Sequence, residues 1–267
     1  MGRPNDLVCD HIARVRDAMC DALAPAKERF PSVQRLLAVL DQRVAAALRD
    51  RAFFRQFNET HNEACAAVEL LRAPAVATID YEPAVSGSDK RLDFKVQLAD
   101  AQQGWVEVKT INPTDQDDWD KYQAPCEKGR FPKNVNVILV EGMMGGEIYH
   151  DDYASRTKLI EHVMETEARL AACQMNPETA PCTLAIAASP LKLRKDALED
   201  FTFFYRTGRH SQWDEFRDME THAIAQQQIR LARTIAKFAY LGRATYEVWP
   251  REVDWDVRFP TAWIVES

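Results

Sequence analysis

The sequence predicts an α/β protein: a central β-sheet flanked by helices, with a helical region at the N-terminus and an additional helix toward the C-terminus. Three observations lead there. Residues 92–98 and 105–111 alternate apolar and polar side chains, the period-two signature of strands. Two helix-like stretches with apolar residues three and four apart precede them. A further amphipathic stretch at 153–174 leads into the short apolar run 183–188, which is a helix followed by a buried strand.

In chain order, the first helix spans 5–23 on Leu7, Ile12, Val15, Met19 and Leu23. The second spans 32–49 on Val33, Leu36, Leu37, Val39, Leu40, Val44 and Leu48, with Pro25 and Pro31 punctuating the pair. Residues 60–72 read as a third helix whose apolar arc is Ala64, Ala67, Val68, Leu70 and Leu71; Glu63 falls at its edge and Glu69 points away. Ala75 to Glu82 supplies a strand. In the next one Leu92, Phe94, Val96 and Leu98 share a face, opposite Asp93, Lys95 and Gln97. The run 99–104 has turn character, so the strand 105–111 returns as a hairpin partner, with Glu107 and Lys109 projecting together. Residues 112–134 are polar and turn-rich and read as an inserted loop. Val135 to Val140 is a strand, ended by Gly142 and Gly145-Gly146, which lack the lysine and hydroxyl of a phosphate-binding loop. Helix 153–174 carries Leu159, Ile160, Val163, Met164, Ala168, Leu170 and Ala171, and a long helix is expected at 211–241 on Phe216, Met219, Ile224, Ile229, Ile235 and Phe238. The tail, with Trp249, Trp255 and Trp263, reads as extended and packed. No repeat or flexible linker divides the chain. Residues 1–54 form a helical region on or beside a core of 55–190, and 191–267 form a helical extension of the same domain.

The chemistry concentrates in the hairpin. It brings Asp93 beside Glu107, with Lys109 next to both: a hard-metal site with an ammonium beside it. Glu107-Val108-Lys109 is the chain's one Glu-x-Lys. This arrangement, over roughly residues 55–111, resembles the PD-(D/E)xK, or restriction-endonuclease-like, nuclease superfamily, with Leu92 where the family name has proline. The resemblance implies a mixed-sheet core and metal-dependent hydrolysis of phosphodiesters. Asp93, Glu107 and the Val108 main-chain carbonyl would hold Mg2+ or Mn2+, and Lys109 would orient or activate water. Family members often add an acid on the preceding helix, and Glu63 fits that role, although a first-turn acid favoured by the helix dipole gives the same letters. A second frame, Asp80 with Asp93-Phe94-Lys95, ranks lower because it leaves no strand before Asp80. The implied partner is nucleic acid, DNA ahead of RNA. The competing function is a nuclease-fold protein without activity that serves as a nucleic-acid-binding or assembly module.

Composition frames this reading. At 267 residues with 46% hydrophobic content, the chain can bury a sizeable core. A net charge of −7 argues against a general nucleic-acid coat but leaves room for a local basic face. Candidates are Lys128, Arg130 and Lys133; Arg156 and Lys158; and Lys192, Arg194 and Lys195, each of which also suits a solvated surface. The six cysteines form no Cys-x-x-Cys pair and read as reduced core thiols, and with no leader or membrane span evident the expected location is the cytoplasm. His61-Asn62-Glu63 has the His-x-Glu form of zinc deaminases, but Gly129 stands where the second cysteine of their Pro-Cys-x-x-Cys is required. The six histidines lack ligand-like pairing and read as surface or capping residues, with His61 a weak supporting candidate beside Glu63.

Overall fold

The computed structural model describes residues 6–85, 91–111, 137–139, 148–150, 152–188, 193, 195–209 and 231–242. Three helices come first: α1 (Asp6–Lys27), α2 (Pro31–Ala47) and, after a 3-10 turn at Arg51–Phe53, α3 (Phe54–Arg72). Proline at the first turn of α2 starts that helix without cost, since its missing N–H has no intrahelical partner there. Pro25 lies inside the last turns of α1, which runs through it. α3 begins at Phe54, before the expected residue 60, because Phe54 and Phe57 are buried and extend its apolar face by a turn and a half.

Five strands form the main sheet: β1 (Val76–Tyr81), β2 (Phe94–Leu98), β3 (Gln103–Ile111), β6 (Cys182–Ala188) and β7 (Lys237–Gly242), in that order across it. β1, β2 and β3 are antiparallel neighbours; β3, β6 and β7 run parallel. The sheet is therefore mixed. Between β3 and β6 lie a separate two-stranded ribbon, β4 (Val137–Leu139) with β5 (Ile148–His150), and helix α4 (Asp152–Ala172). Helix α5 (Lys195–Thr207) precedes β7. The β2–β3 hairpin closes through Ala101, whose φ of 71° places it in the left-handed region, with Leu98 N–H bonded to Gln102 O at 2.8 Å.

Period two sorts the side chains into two cores. On one face Ile79, Phe94, Val96, Val106, Val108, Ala185 and Ala239 pack against α1, α2 and α3. Small residues in β6 let those helices come close, and each fully buried Leu or Val of α2 contributes about 1.5–3 kcal/mol. On the other face Trp105, Ile111, Leu184 and Ile186 meet Leu159, Ile160 and Val163 of α4 and Phe201 and Tyr205 of α5. The N-terminal helices are thus one layer of the sheet's packing.

The expected helix at 211–241 is corrected at its end. Lys237 to Gly242 form β7, paired with β6 from Thr183↔Lys237 to Ala188↔Gly242. Both faces of this strand are apolar, Ala239 and Leu241 on one and Phe238 and Tyr240 on the other, so Ile235 and Phe238 imitate helical spacing. Helix α5 had no counterpart among the expected elements. Residues 231–236, also expected in the helix at 211–241, are described and are not helical; the polar stretch 112–134, residues 211–230, the tryptophan tail and most of the basic clusters lie outside the described residues. No described helix is long and apolar enough to cross a membrane. Cys9, Cys20, Cys65, Cys173 and Cys182 carry reduced thiols.

Candidate active site

Strand β3 places Glu107 and Lys109 on the α4 side of the sheet, between Trp105 and Ile111, while Val106 and Val108 face the N-terminal helices. Glu107 is 1% exposed and Lys109 14%, with Lys109 Nζ 3.3 Å from Glu107 Oε1. The β2–β3 ladder ends at Phe94↔Val106, one step short of this pair. There the Asp93 carboxyl takes the place of a strand carbonyl: its Oδ2 accepts the Val108 N–H at 2.6 Å. In a strand the N–H and C=O of one residue point to the same edge. The Val108 carbonyl therefore faces the β2 side, where the ladder has stopped.

α3 brings the third acid. Asn62, buried in the helix, donates from Nδ2 to Thr110 Oγ1 at 2.7 Å and so docks α3 against β3. The next residue, Glu63, accepts a 2.7 Å hydrogen bond from the Tyr81 hydroxyl. Glu69, the rival acid of this helix, is paired outward with Arg72 at 2.7 Å.

The electrostatics match a crowded set of carboxyls. Burial, then the charges of Glu107 and Glu63, push Asp93 well above the usual carboxylate range. Burial, opposed by the Tyr81 hydrogen bond and reinforced by Glu82 and Glu107, raises Glu63 to about 7. Glu107 is raised by burial, against the pull of Lys109 and Arg169.

Helix α4 supplies residues that the sequence did not single out. Arg169 Nη1 donates to Glu107 Oε1 and, at 3.2 Å, to the Arg91 carbonyl. Glu165 Oε2 lies 3.5 Å from Lys109 Nζ and 3.5 Å from His162 Nδ1. Burial opposes ionisation of Glu165, but Lys109 and His162 prevail and hold its carboxyl below the usual range. His162 is buried, where a surface or capping role was expected, and its Nε2 lies 3.2 Å from the Thr110 carbonyl. Burial, then the Lys109 charge, lower its pKa. The 162–165–169 spacing puts all three side chains on one flank of the helix, and only the fold reveals that this flank meets Glu107.

Four sequence candidates, Glu63, Asp93, Glu107 and Lys109, thus converge around the end of β2, with Val108 bonded to one of them. The second frame does not assemble in this way. Asp80 pairs with Arg35 at 3.3 Å, both half-exposed, and Lys95 lies over the Trp105 ring at 5.8 Å. His61 is buried against Cys65 at 3.6 Å and stacked on Phe57.

One atom stands out. Glu107 Oε2 is buried with no hydrogen-bond partner among the described residues, while Oε1 carries both cations. A buried carboxylate oxygen without a partner is costly, since even a neutral amide or hydroxyl left so costs about 2–7 kcal/mol. Among the described residues no three His, Cys, Asp or Glu side chains are arranged to hold a metal ion. Two carboxylates and a carbonyl do fit Mg2+, which keeps several waters and uses one or two protein carboxylates. No family model matches this chain, no curated protein matches its sequence, and no solved structure matches its fold.

Proposed function

We propose that this protein is a divalent-metal-dependent nuclease of the restriction-endonuclease-like type, hydrolysing phosphodiester bonds in nucleic acid, with DNA the favoured substrate. The observation that carries the reading is Glu107 Oε2: a buried, unpartnered oxygen beside Asp93 and within the reach of an ammonium. Asp93, Glu107 and the Val108 carbonyl would hold Mg2+ or Mn2+, which neutralises charge on phosphodiester oxygens and acidifies a bound water. Lys109, fixed between Glu107 and Glu165, orients the attacking water and places positive charge where the transition state becomes more negative. Asp93 and Glu63 hold their protons more tightly than free carboxyls, so loading the site releases protons.

The test is cleavage of single- and double-stranded DNA and RNA with magnesium, manganese or chelator, by wild type and Lys109→Ala. The expected outcome is metal-dependent cutting that the variant loses. Folded wild type that cuts none of these substrates overturns the enzymatic reading in favour of a binding or assembly module.

A further inference from the structure

Arg169 closes the last turn of α4, where a cation is favoured by the helix dipole, and is itself 29% exposed, yet it spends its guanidinium on a carboxylate that is 1% exposed. An arginine held by a carboxylate for stability alone commonly takes both oxygens with its planar fork. Here a single nitrogen, Nη1, meets only Oε1 of Glu107 and also the main-chain carbonyl of Arg91, two residues before Asp93. One guanidinium therefore ties the carboxylate on β3 to the backbone that leads into Asp93. Oε2 is left buried and unpartnered. Lys109 cannot do the same work, because its ammonium shares Oε1 and is held on its other side by Glu165.

We infer that Arg169 is a positioning residue: it fixes the Glu107 carboxylate through Oε1, and the Asp93 segment through the Arg91 carbonyl, so that Oε2 is presented to the divalent ion. This deepens the proposed function and rests on it. Ligating carboxylates are themselves held by hydrogen bonds, and removing such a support typically costs about 10–100-fold in metal affinity. Lysine keeps the charge and has three N–H donors, but it ends in a point ammonium on a flexible stem that is less preorganised to hold both acceptors in place.

Calorimetric titration of the full chain with manganese chloride tests this, using wild type, Arg169→Met and Arg169→Lys, each shown to be folded by its thermal melt. Arg169→Met should bind Mn2+ about 10–100-fold more weakly, with Arg169→Lys in between. Wild-type affinity in Arg169→Met overturns the inference. So does tighter binding, which would mean that the guanidinium only competes with the ion for Glu107. Should Arg169→Met not fold, an affinity in Arg169→Lys equal to wild type overturns it as well. Wild type that takes up no Mn2+ defeats instead the metal-site reading beneath it, a result distinct from a variant that is indifferent to the change.

Discussion

Among the described residues two glutamates are buried on the α4 side of the sheet, Glu107 and Glu167, and the molecule treats them in opposite ways. Glu167 accepts the Tyr205 hydroxyl at 2.5 Å and the Arg233 N–H at 2.6 Å on Oε1, and the Ala232 N–H at 2.8 Å on Oε2. Tyr205 in turn accepts the Ile235 N–H at 3.0 Å. This carboxylate pins the segment that enters β7, where Arg233 adopts a φ of 56°. Glu107 has both its cations on Oε1, and Oε2 makes no hydrogen bond among the described residues. The first arrangement is closed and holds the fold together. The second leaves a buried acceptor open, which a protein under selection for stability alone would have closed or made apolar.

Asp93→Asn separates the two kinds of site most sharply. It should reduce metal-dependent cleavage by about 10²–10⁴-fold, the range for losing a central catalytic group. Its carboxamide oxygen still accepts the Val108 N–H and carries no charge beside Glu107, so stability should hold or rise by about 1 kcal/mol. Single-turnover cleavage alongside a thermal melt checks both, and undiminished cleavage would remove Asp93 from the mechanism. Next in size is Glu167→Ala, which strands three donors at roughly 1 kcal/mol or more each, about 3 kcal/mol together. Urea unfolding measures this, and a loss under about 1 kcal/mol would erase the contrast between the two glutamates.

The smallest effect is a pH slope. Glu63 rises from an ordinary 4.5 to about 7 in the folded protein. Between those values the native state binds more protons than the unfolded chain, so this group's contribution is fully present below 4.5 and is lost as pH rises through about 7. Stability should fall by roughly 1–3 kcal/mol across that window. Glu63→Gln should flatten the curve. A wild-type profile rising with pH there would contradict the carboxyl crowding.

Much of the sheet was legible because its strands obey simple alternation. In 94–98 one face is apolar and the other polar, which settles that strand; Leu92, expected on the same face as Phe94, lies before the strand and turns into the opposite core, and in 105–111 Glu107 and Lys109 emerge on a face that Trp105 and Ile111 make apolar at both ends. β7 was hidden because both its faces are buried; without a polar face, period two vanishes and a helix fits as well. α5 was obscured by its charged opening, although Phe201, Phe204 and Tyr205 mark its buried face. The hairpin half of the site could be read because Asp93 and Glu107 are joined by a short turn. His162, Glu165 and Arg169 could not, since charged residues spaced along a helix look the same on a solvated face as over an active site.

The 2.6 Å contact between Val108 N–H and Asp93 makes one main-chain amide an internal gauge of the whole arrangement. Short hydrogen bonds to carboxyl groups deshield the shared proton, so this amide should resonate downfield of its strand neighbours in a nitrogen–proton spectrum. It would report protonation of Asp93, occupation of the carboxyl cluster and loss of strand register from a single peak, without any substrate in the tube.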